Sequence, residues 1–555
     1  MFEYTDAFST KRTPQGQPVP GKQMVQGEAG GFVFGVDDWT RLDRFLILGS
    51  DAPTYYASAP ELTKENAGAV VRCLKENGVR VVDRIVEISE AGRAPKNDPA
   101  LFALALASSP AFANPATRSY ALSSLSRVAR IGTHLFHFAK YVEHFRGWGR
   151  GLREGVAAWY TEKEVDRLAY QAVKYQQRDG WSHRDLLRLS HPKPPTKEHD
   201  RLFHWITQSN AKKKAPNLVH AFEEAKLSPS AKETARLIRE YNLTREMVKT
   251  SHLKDAGVWE ALLERMPMTA MVRNLANMTK VGLLAPMSSA VGTVVSRLDS
   301  DAVHKARVHP LQILVAMKVY QQGHGVARRQ AVGYHSRGYV GRGDVPSWRP
   351  VVQIVDALDA AFYHAFDNVE STGLRWLLAL DVSGSMASPD ISGMPGISPR
   401  VGSAAMALIT AKAEPNYTAV GFTSGSSSRY DWRRNTALTH LPISPRQRLD
   451  DVIGVVSNLP FGGTDCSLPI VGALQKQVPV DVFVVYTDSE TWAGNIHPVQ
   501  ALQEYRQKMG INAKLIVVGM VSNGFSIADP SDGGMLDVVG FDTATPQVMA
   551  DFSRG

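Results

Sequence analysis

Cysteine is almost missing from this chain: two among 555 residues, Cys73 and Cys466. That excludes a disulfide-stapled secreted framework and a cysteine-built zinc or iron–sulfur site. No run of about 20 apolar residues occurs, so nothing is built to span a bilayer and no membrane partner is expected. The opening MFEYTDAFSTKRTPQGQPVP lacks the apolar stretch a signal peptide needs, and a soluble cytoplasmic protein is the expectation. Compositional bias is lacking too. With 44% hydrophobic and 21% charged residues, the chain is neither disordered nor collagen-like. Its length allows several domains with ordinary cores.

Positive charge is present, and it is unevenly placed. Residues 371–555 carry 13 Lys+Arg against 16 Asp+Glu, leaving 50 against 38 for residues 1–370. The net +9 therefore belongs wholly to the first two thirds. Such a field attracts polyanions through phosphate contacts and counterion release. Ordinary variation in surface charge is the alternative, and charge alone leaves both open.

Residues 1–24 are polar and rich in Pro, Gly and Gln, which predicts an unstructured arm. From about residue 30 to 370 the pattern is helical. Leu42, Phe45, Leu46 and Gly49 recur at i, i+3, i+4, i+7, and Leu168, Ala172 and Tyr175 repeat the spacing. Leu358, Ala361, Phe362, Ala365 and Phe366 do so again. Short breaks at 92–95, 192–195 and 309–310 separate these segments, which predicts stacked helix pairs. Two interruptions differ. Lys212, Lys213 and Lys214 form a basic run, readable as an RNA contact or a solvated turn. Residues 323–350 form a long loop in which Arg328, Arg329, Arg337 and Arg342 alternate with Tyr334, Tyr339 and Trp348. That composition suits phosphate binding and base stacking, or a solvated insertion.

After residue 371 the period changes. Strand-length apolar runs at 376–380, 417–422, 481–486, 513–520 and 535–541 alternate with helical segments at 401–413, 446–458, 467–477 and 499–509. Near-continuous Val, Ile, Leu and Phe in the strands predicts helices on both faces, hence a doubly wound parallel α/β sheet. Ligands of such sheets bind at the carboxyl ends of the strands.

The first of these strands runs into Asp381-Val382-Ser383-Gly384-Ser385, one carboxylate and two hydroxyls on one loop. Gly462-Gly463-Thr464-Asp465 presents another hydroxyl, and Thr487-Asp488 ends a third strand-like run. Hard oxygen donors of low total charge suit a divalent ion, Mg²⁺ above all, with positions left for water or a partner's carboxylate. Asp381, Ser383, Ser385, Thr464 and Asp488 in this order resemble the metal-ion-dependent adhesion site of von Willebrand factor A domains. No G-x-S-x-G elbow surrounds either serine, so no nucleophile is assigned. His497 reads as a structural or surface histidine, and Cys466 as a small buried residue.

Longer stretches carry a broader resemblance. Gly462-Gly463-Thr464-Asp465-Cys466-Ser467-Leu468-Pro469, Val484 to Gly494 (VVYTDSETWAG) and Asn523 to Pro530 (NGFSIADP) are similar to the Ro ribonucleoprotein family, bacterial relatives included. Arg41 to Leu46 (RLDRFL), Gly92 to Pro99 (GRAPKNDP), Arg178 to Leu187 (RDGWSHRDLL), Leu275 to Thr279 (LANMT), Arg307 to Pro310 (RVHP) and Gly323 to Gly325 (GHG) agree as well. The resemblance runs from about residue 28 to 553. The loop after Gly325 looks longer than the family's connection, and the start of the chain has no counterpart.

The resemblance implies an all-α ring of HEAT-like repeats, the TROVE domain, over residues 25–370, followed by an A domain over 371–555. It implies a noncatalytic scaffold with Y or Y-like RNA on the basic outer surface and single-stranded 3′ ends of misfolded RNA in a central hole. The implied role is RNA quality control, with a 3′-exoribonuclease as a further partner. His183 falls in the stretch the family associates with Y RNA, with Lys174, Arg178 and Arg184 nearby. Arg273 and Asn274 are the choices for the hole, since Arg offers bidentate phosphate geometry and Asn bonds backbone or base. Lys96, Arg307 and His309 complete the set. Two rivals stay open: a metal-dependent nuclease using Asp381 and Asp488, and a protein-adhesion module whose metal takes a partner's carboxylate.

Overall fold

The computed structural model describes residues 12–50, 59–208, 216–306, 308–324, 347–365, 370–387, 390–391, 396–423, 438–459 and 462–555. Lys212, Lys213, Lys214, Arg307, Phe366 and residues 325–346 of the Arg/Gly/aromatic loop lie outside them. The described parts of Met1–Pro99 and Phe366–Gly555 form one compact unit, and Ala100–Ala365 a second.

The first unit is organised by a six-stranded sheet. Its order is Met535–Val539, Lys514–Gly519, Val482–Thr487, Trp376–Asp381, Tyr417–Phe422, Leu438–Leu441. The first five strands run parallel, within two residues of the expected bounds. Leu438–Leu441 is an antiparallel edge strand, a correction to an all-parallel sheet. Its sequence, LTHL, is too short and too polar to signal a buried strand. Every residue of Trp376–Asp381 and Val482–Thr487 is buried, as helices on both faces require. One of those helices, Pro399–Ala413, starts at Ser398, whose side chain accepts from the Val401 amide, and buries 13 of its 15 residues. Gly402 is obligatory there, because a Cβ would sit 1.8 Å from the Phe541 ring.

Strand order reverses between Trp376–Asp381 and Val482–Thr487. The chain leaves the first toward Tyr417–Phe422 and returns to build outward on the second. Their register pairs Leu380 with Tyr486, so Asp381 and the Thr487–Asp488 step end up side by side at the switch point.

The arm expected over residues 1–24 is corrected for its described part. Gln15 is fully buried, and the Gln15 amide donates to the Gly494 carbonyl at 2.9 Å. Strands Val25–Gln26, Phe32–Gly35 and Phe525–Ser526 form an antiparallel sheet, so the N-terminal segment is knitted into the A-type unit. Helix Asp38–Leu48 begins at the Asp37 cap and stops at Gly49, whose φ of 71° is a termination conformation rather than a face position. Arg44, fully buried, donates to the carbonyls of Asn523 and Phe525 at 2.9 Å and pairs with Asp537 at 2.6 Å.

The second unit is helical. Helices adjacent in sequence pack on one another: His183–Ser190 on Lys197–Thr207, Asn217–Leu227 on Ala231–Tyr241, Ala231–Tyr241 on Ala256–Arg265, and Pro310–Gln321 on Val352–His364. Short polar caps set their starts. Asn114, Thr196, Ser230 and Asp255 each accept from an amide of the first turn, and Ser182 with Asp185 forms a full capping box. Val165–Lys174 ends one residue before Tyr175, which is its cap rather than part of its face.

Candidate metal centre and nucleic-acid contacts

Asp381 is fully buried at the end of its strand, with Ser383 and Ser385 at 1% and 5% exposure on the loop that follows. The Ser383 amide donates to Asp381 Oδ1 at 2.9 Å, and the two serine hydroxyls lie 3.1 Å apart. Thr487 Oγ1 donates to Asp381 Oδ2 at 2.7 Å, tying in the neighbouring strand. Asp488 follows, buried, and its carbonyl accepts from Asn523 Nδ2 at 2.6 Å. The glycine turn closes over this pair: the Gly384 amide donates to the Gly462 carbonyl at 3.4 Å, and Thr423 Oγ1 to the Gly463 carbonyl at 2.8 Å. Buried Thr464 fixes the next loop, its carbonyl accepting from Trp492 and Ala493 at 3.1 and 3.0 Å.

The electrostatics fit a cation. Burial pushes the Asp381 carboxyl up, against hydrogen bonds from Ser383 and Thr487 that favour its ionised form. Burial pushes Asp488 well above the carboxylate range, and the Asp381 charge adds to it. Two buried acids that each raise the cost of ionising the other, with hydroxyls between them, are a donor set a divalent ion would relieve. Among the described residues no group of three or more His, Cys, Asp or Glu could hold a metal. Any ion here therefore leans on hydroxyls. The Arg400 Nη2 donates to the Ser383 carbonyl at 3.0 Å and to that of Val382, bracing the loop from behind. Burial pushes the Cys466 thiol far up, as suits an inert filler.

Several residues that build this site gave no sequence signal. Gln15 is one. Glu490, hinted at only by the family-like stretch VVYTDSETWAG, is buried and accepts from the amides of Glu28 and Ala29 at 3.1 and 2.9 Å. Burial pushes its carboxyl up to about 7. Asn523 joins Asp488 to Arg44, whose Nη1 donates to Asn523 Oδ1 at 2.9 Å. Only the family-like stretches RLDRFL and NGFSIADP hinted at Arg44 and Asn523. His497 is structural: it is 1% exposed and its Nε2 meets the Gln17 carbonyl at 2.7 Å.

Among the described residues, the nominated nucleic-acid contacts separate into three groups. Arg178, Arg184 and Arg273 are exposed. Arg178 lies 3.7 Å from Asp179, on a two-strand hairpin with Trp181–Ser182. Lys96 and Lys174 are half-buried; Lys174 donates to the Tyr170 hydroxyl at 3.0 Å. Arg307 lies outside the described residues, and His183, Asn274 and His309 each spend a polar group on a partner within the chain. His183 is 3% exposed, its Nδ1 shares a 2.8 Å hydrogen bond with the Tyr160 hydroxyl, and its ring packs on Phe136 and Trp159. Asn274 donates to the Ala270 carbonyl at 2.8 Å and accepts from Asn277 at 3.1 Å. His309 caps helix Pro310–Gln321, its Nδ1 accepting from the Leu311 amide at 3.2 Å. Trp348 is docked too, donating to the Tyr320 carbonyl at 2.8 Å under the Lys280 ammonium.

The TROVE domain matches residues 25–373 and the Ro60 vWA domain residues 375–553. The chain belongs to the Ro family. It is 41% identical to the RNA-binding protein RO60 of Deinococcus radiodurans, over 99% of this chain and 98% of that one. To the Caenorhabditis elegans protein of the same name it is 35% identical, over 98% of this chain and 92% of that one. The crystal structure of the Deinococcus radiodurans RO (RSR) protein superimposes with a TM-score of 0.69 at 41% identity, covering 94% of this chain and all of that one. For this Ro-family chain the expected fold class, a helical TROVE region followed by a vWA domain with a sheet flanked by helices, holds. No helix among the described residues is long and apolar enough to cross a membrane.

Proposed function

We propose that this chain is an RNA-binding ribonucleoprotein scaffold that carries Y-like RNA on its basic outer surface and takes single-stranded 3′ ends of misfolded RNA into a central hole. The carrying observation is the set of exposed arginines, Arg178, Arg184 and Arg273, on ordered helical and hairpin elements, in a chain whose relatives are named RNA-binding proteins. Guanidinium groups on rigid elements bind phosphate bidentately with little demand on base sequence. A narrow basic passage would admit unpaired ends and refuse duplex, which makes a free tail the mark of a misfolded RNA. A 3′-exoribonuclease tethered through the Y-like RNA would then receive the cargo, in the cytoplasm.

Asp381, Ser383, Ser385, Thr464 and Asp488 would hold Mg²⁺. When bound it supplies an open coordination position that a partner protein's carboxylate can fill. Two carboxylates and three hydroxyls are a poor set for two-metal phosphoryl transfer, which favours adhesion over nuclease chemistry at this site. Sequencing RNA that copurifies with the chain, together with a Mg²⁺-dependent cleavage assay on tailed and structured RNA, tests the proposal. Bound RNA that stays uncut is the expected result. Cleavage abolished by Asp381→Ala would replace the scaffold with a nuclease.

A further inference from the structure

A cleft of about 390 Å³ opens in the helical unit where Lys197–Thr207 and Asn217–Leu227 meet the start of His183–Ser190. Its volume falls in the range of small-molecule sites. The floor is aromatic. Phe222 is 1% exposed, and half-buried Trp205 meets it edge-on at 6.5 Å and 87°, which leaves part of the indole uncovered. The rim is cationic. Lys226 holds its ammonium 4.0 Å over the Phe222 ring, and exposed Arg184 lines the cleft, with Glu223 the acidic group among the lining residues. Gln176 and Thr207 add amide and hydroxyl groups.

An aromatic face beside two cations is the combination that stacks a nucleobase and grips the phosphate attached to it. A base inside a duplex has both faces stacked and its pairing edge occupied, so only a splayed base can enter a concave site. We propose that this cleft binds one unpaired nucleobase of a bound RNA, stacked on Trp205, with the adjoining phosphate held by Arg184 and Lys226. The proposal rests on the RNA-binding reading above and adds to it a base-dependent subsite where backbone contacts alone would be indifferent to the base.

The test uses the full chain and two hairpin RNAs identical except at one bulged position, which carries 2-aminopurine in one and an abasic ribose in the other. The 2-aminopurine RNA is expected to bind about 10-fold more tightly and to lose fluorescence on binding. Trp205→Ala removes both effects while the abasic RNA binds as it does to the unsubstituted chain. Trp205→Phe keeps a ring against Phe222 and retains most of the difference, which separates lost stacking from a damaged fold. Arg184→Ala and Lys226→Ala, at exposed positions, each lower the slope of log affinity against log salt by about 1. Equal binding of the two RNAs by the unsubstituted chain overturns the subsite and leaves RNA binding standing. Failure to bind either RNA at about 50 mM salt overturns both. Trp205-dependent binding of free adenosine monophosphate, with no difference between the two RNAs, assigns the cleft to free nucleotides and likewise overturns the proposal.

Discussion

Gln15 and Asp465 stand 450 positions apart and share a 2.8 Å hydrogen bond from Nε2 to Oδ1. The same amide donates to the Ile496 carbonyl at 2.9 Å and accepts from Thr491 Oγ1 and the Gly494 amide at 2.6 and 3.0 Å. Every donor and acceptor of a fully buried side chain is thus spent on the loop beside Thr464. Leaving such partners unsatisfied costs about 1–3 kcal/mol. Gln15→Ala is expected to destabilise the chain by roughly 2 kcal/mol in denaturant unfolding. Gly494→Ala should do the same, since its Cβ would lie 2.4 Å from both Gln15 Nε2 and Asp465 Oδ1. Unchanged midpoints in both variants would show that the N-terminal segment is not part of this unit.

Mg²⁺ should stabilise the A domain by mass action, by about 2.7 kcal/mol at 100 times its dissociation constant. The thermal midpoint of the full chain is expected to rise with added Mg²⁺. Asp488→Asn should erase that rise while leaving the metal-free chain no less stable, because a neutral amide of the same shape replaces a carboxyl whose ionisation burial already disfavours. A metal-dependent shift that survives Asp488→Asn would place the ion elsewhere.

Burial pushes the His183 imidazole from 6.5 down to about 4. The folded chain holds it neutral over a range in which the unfolded chain would protonate it. Its contribution is therefore complete above pH 6.5 and is lost as the pH falls through that window toward 4. At most about 3 kcal/mol is at stake. His183→Gln should flatten the stability profile between these values. An unaltered profile would mean that the imidazole titrates freely.

Arg178 and Arg184 neighbour the His183 stretch, and Arg273 lies on helix Met268–Lys280. The double variant Arg178→Ala/Arg184→Ala should weaken a stem-containing RNA more than a single-stranded tail, and Arg273→Ala the reverse. Equal losses for both RNAs, measured by titration at fixed salt, would contradict separate binding regions.

The residues nominated for a metal were legible because they sit at strand ends, where a buried apolar run stops and polar groups begin. The sequence placed Asp381 and Asp488 on separate loops; strand order at the switch point put those loops together. The proposed contacts to RNA were less legible. A basic or imidazole side chain reads the same whether it faces solvent or caps a helix, and only packing distinguished exposed Arg184 from buried His183 one residue earlier.

Periodicity by itself determined the two architectures of this protein, because a period near 3.6 buries one helix face and unbroken apolar runs demand cover on both sides of a sheet. It could not foresee that a polar opening segment would be drawn inside. Gln15 has no local preference for burial. Its position was decided by the tertiary structure, which supplied four hydrogen-bonding partners from distant residues and so removed the cost of taking its amide out of water.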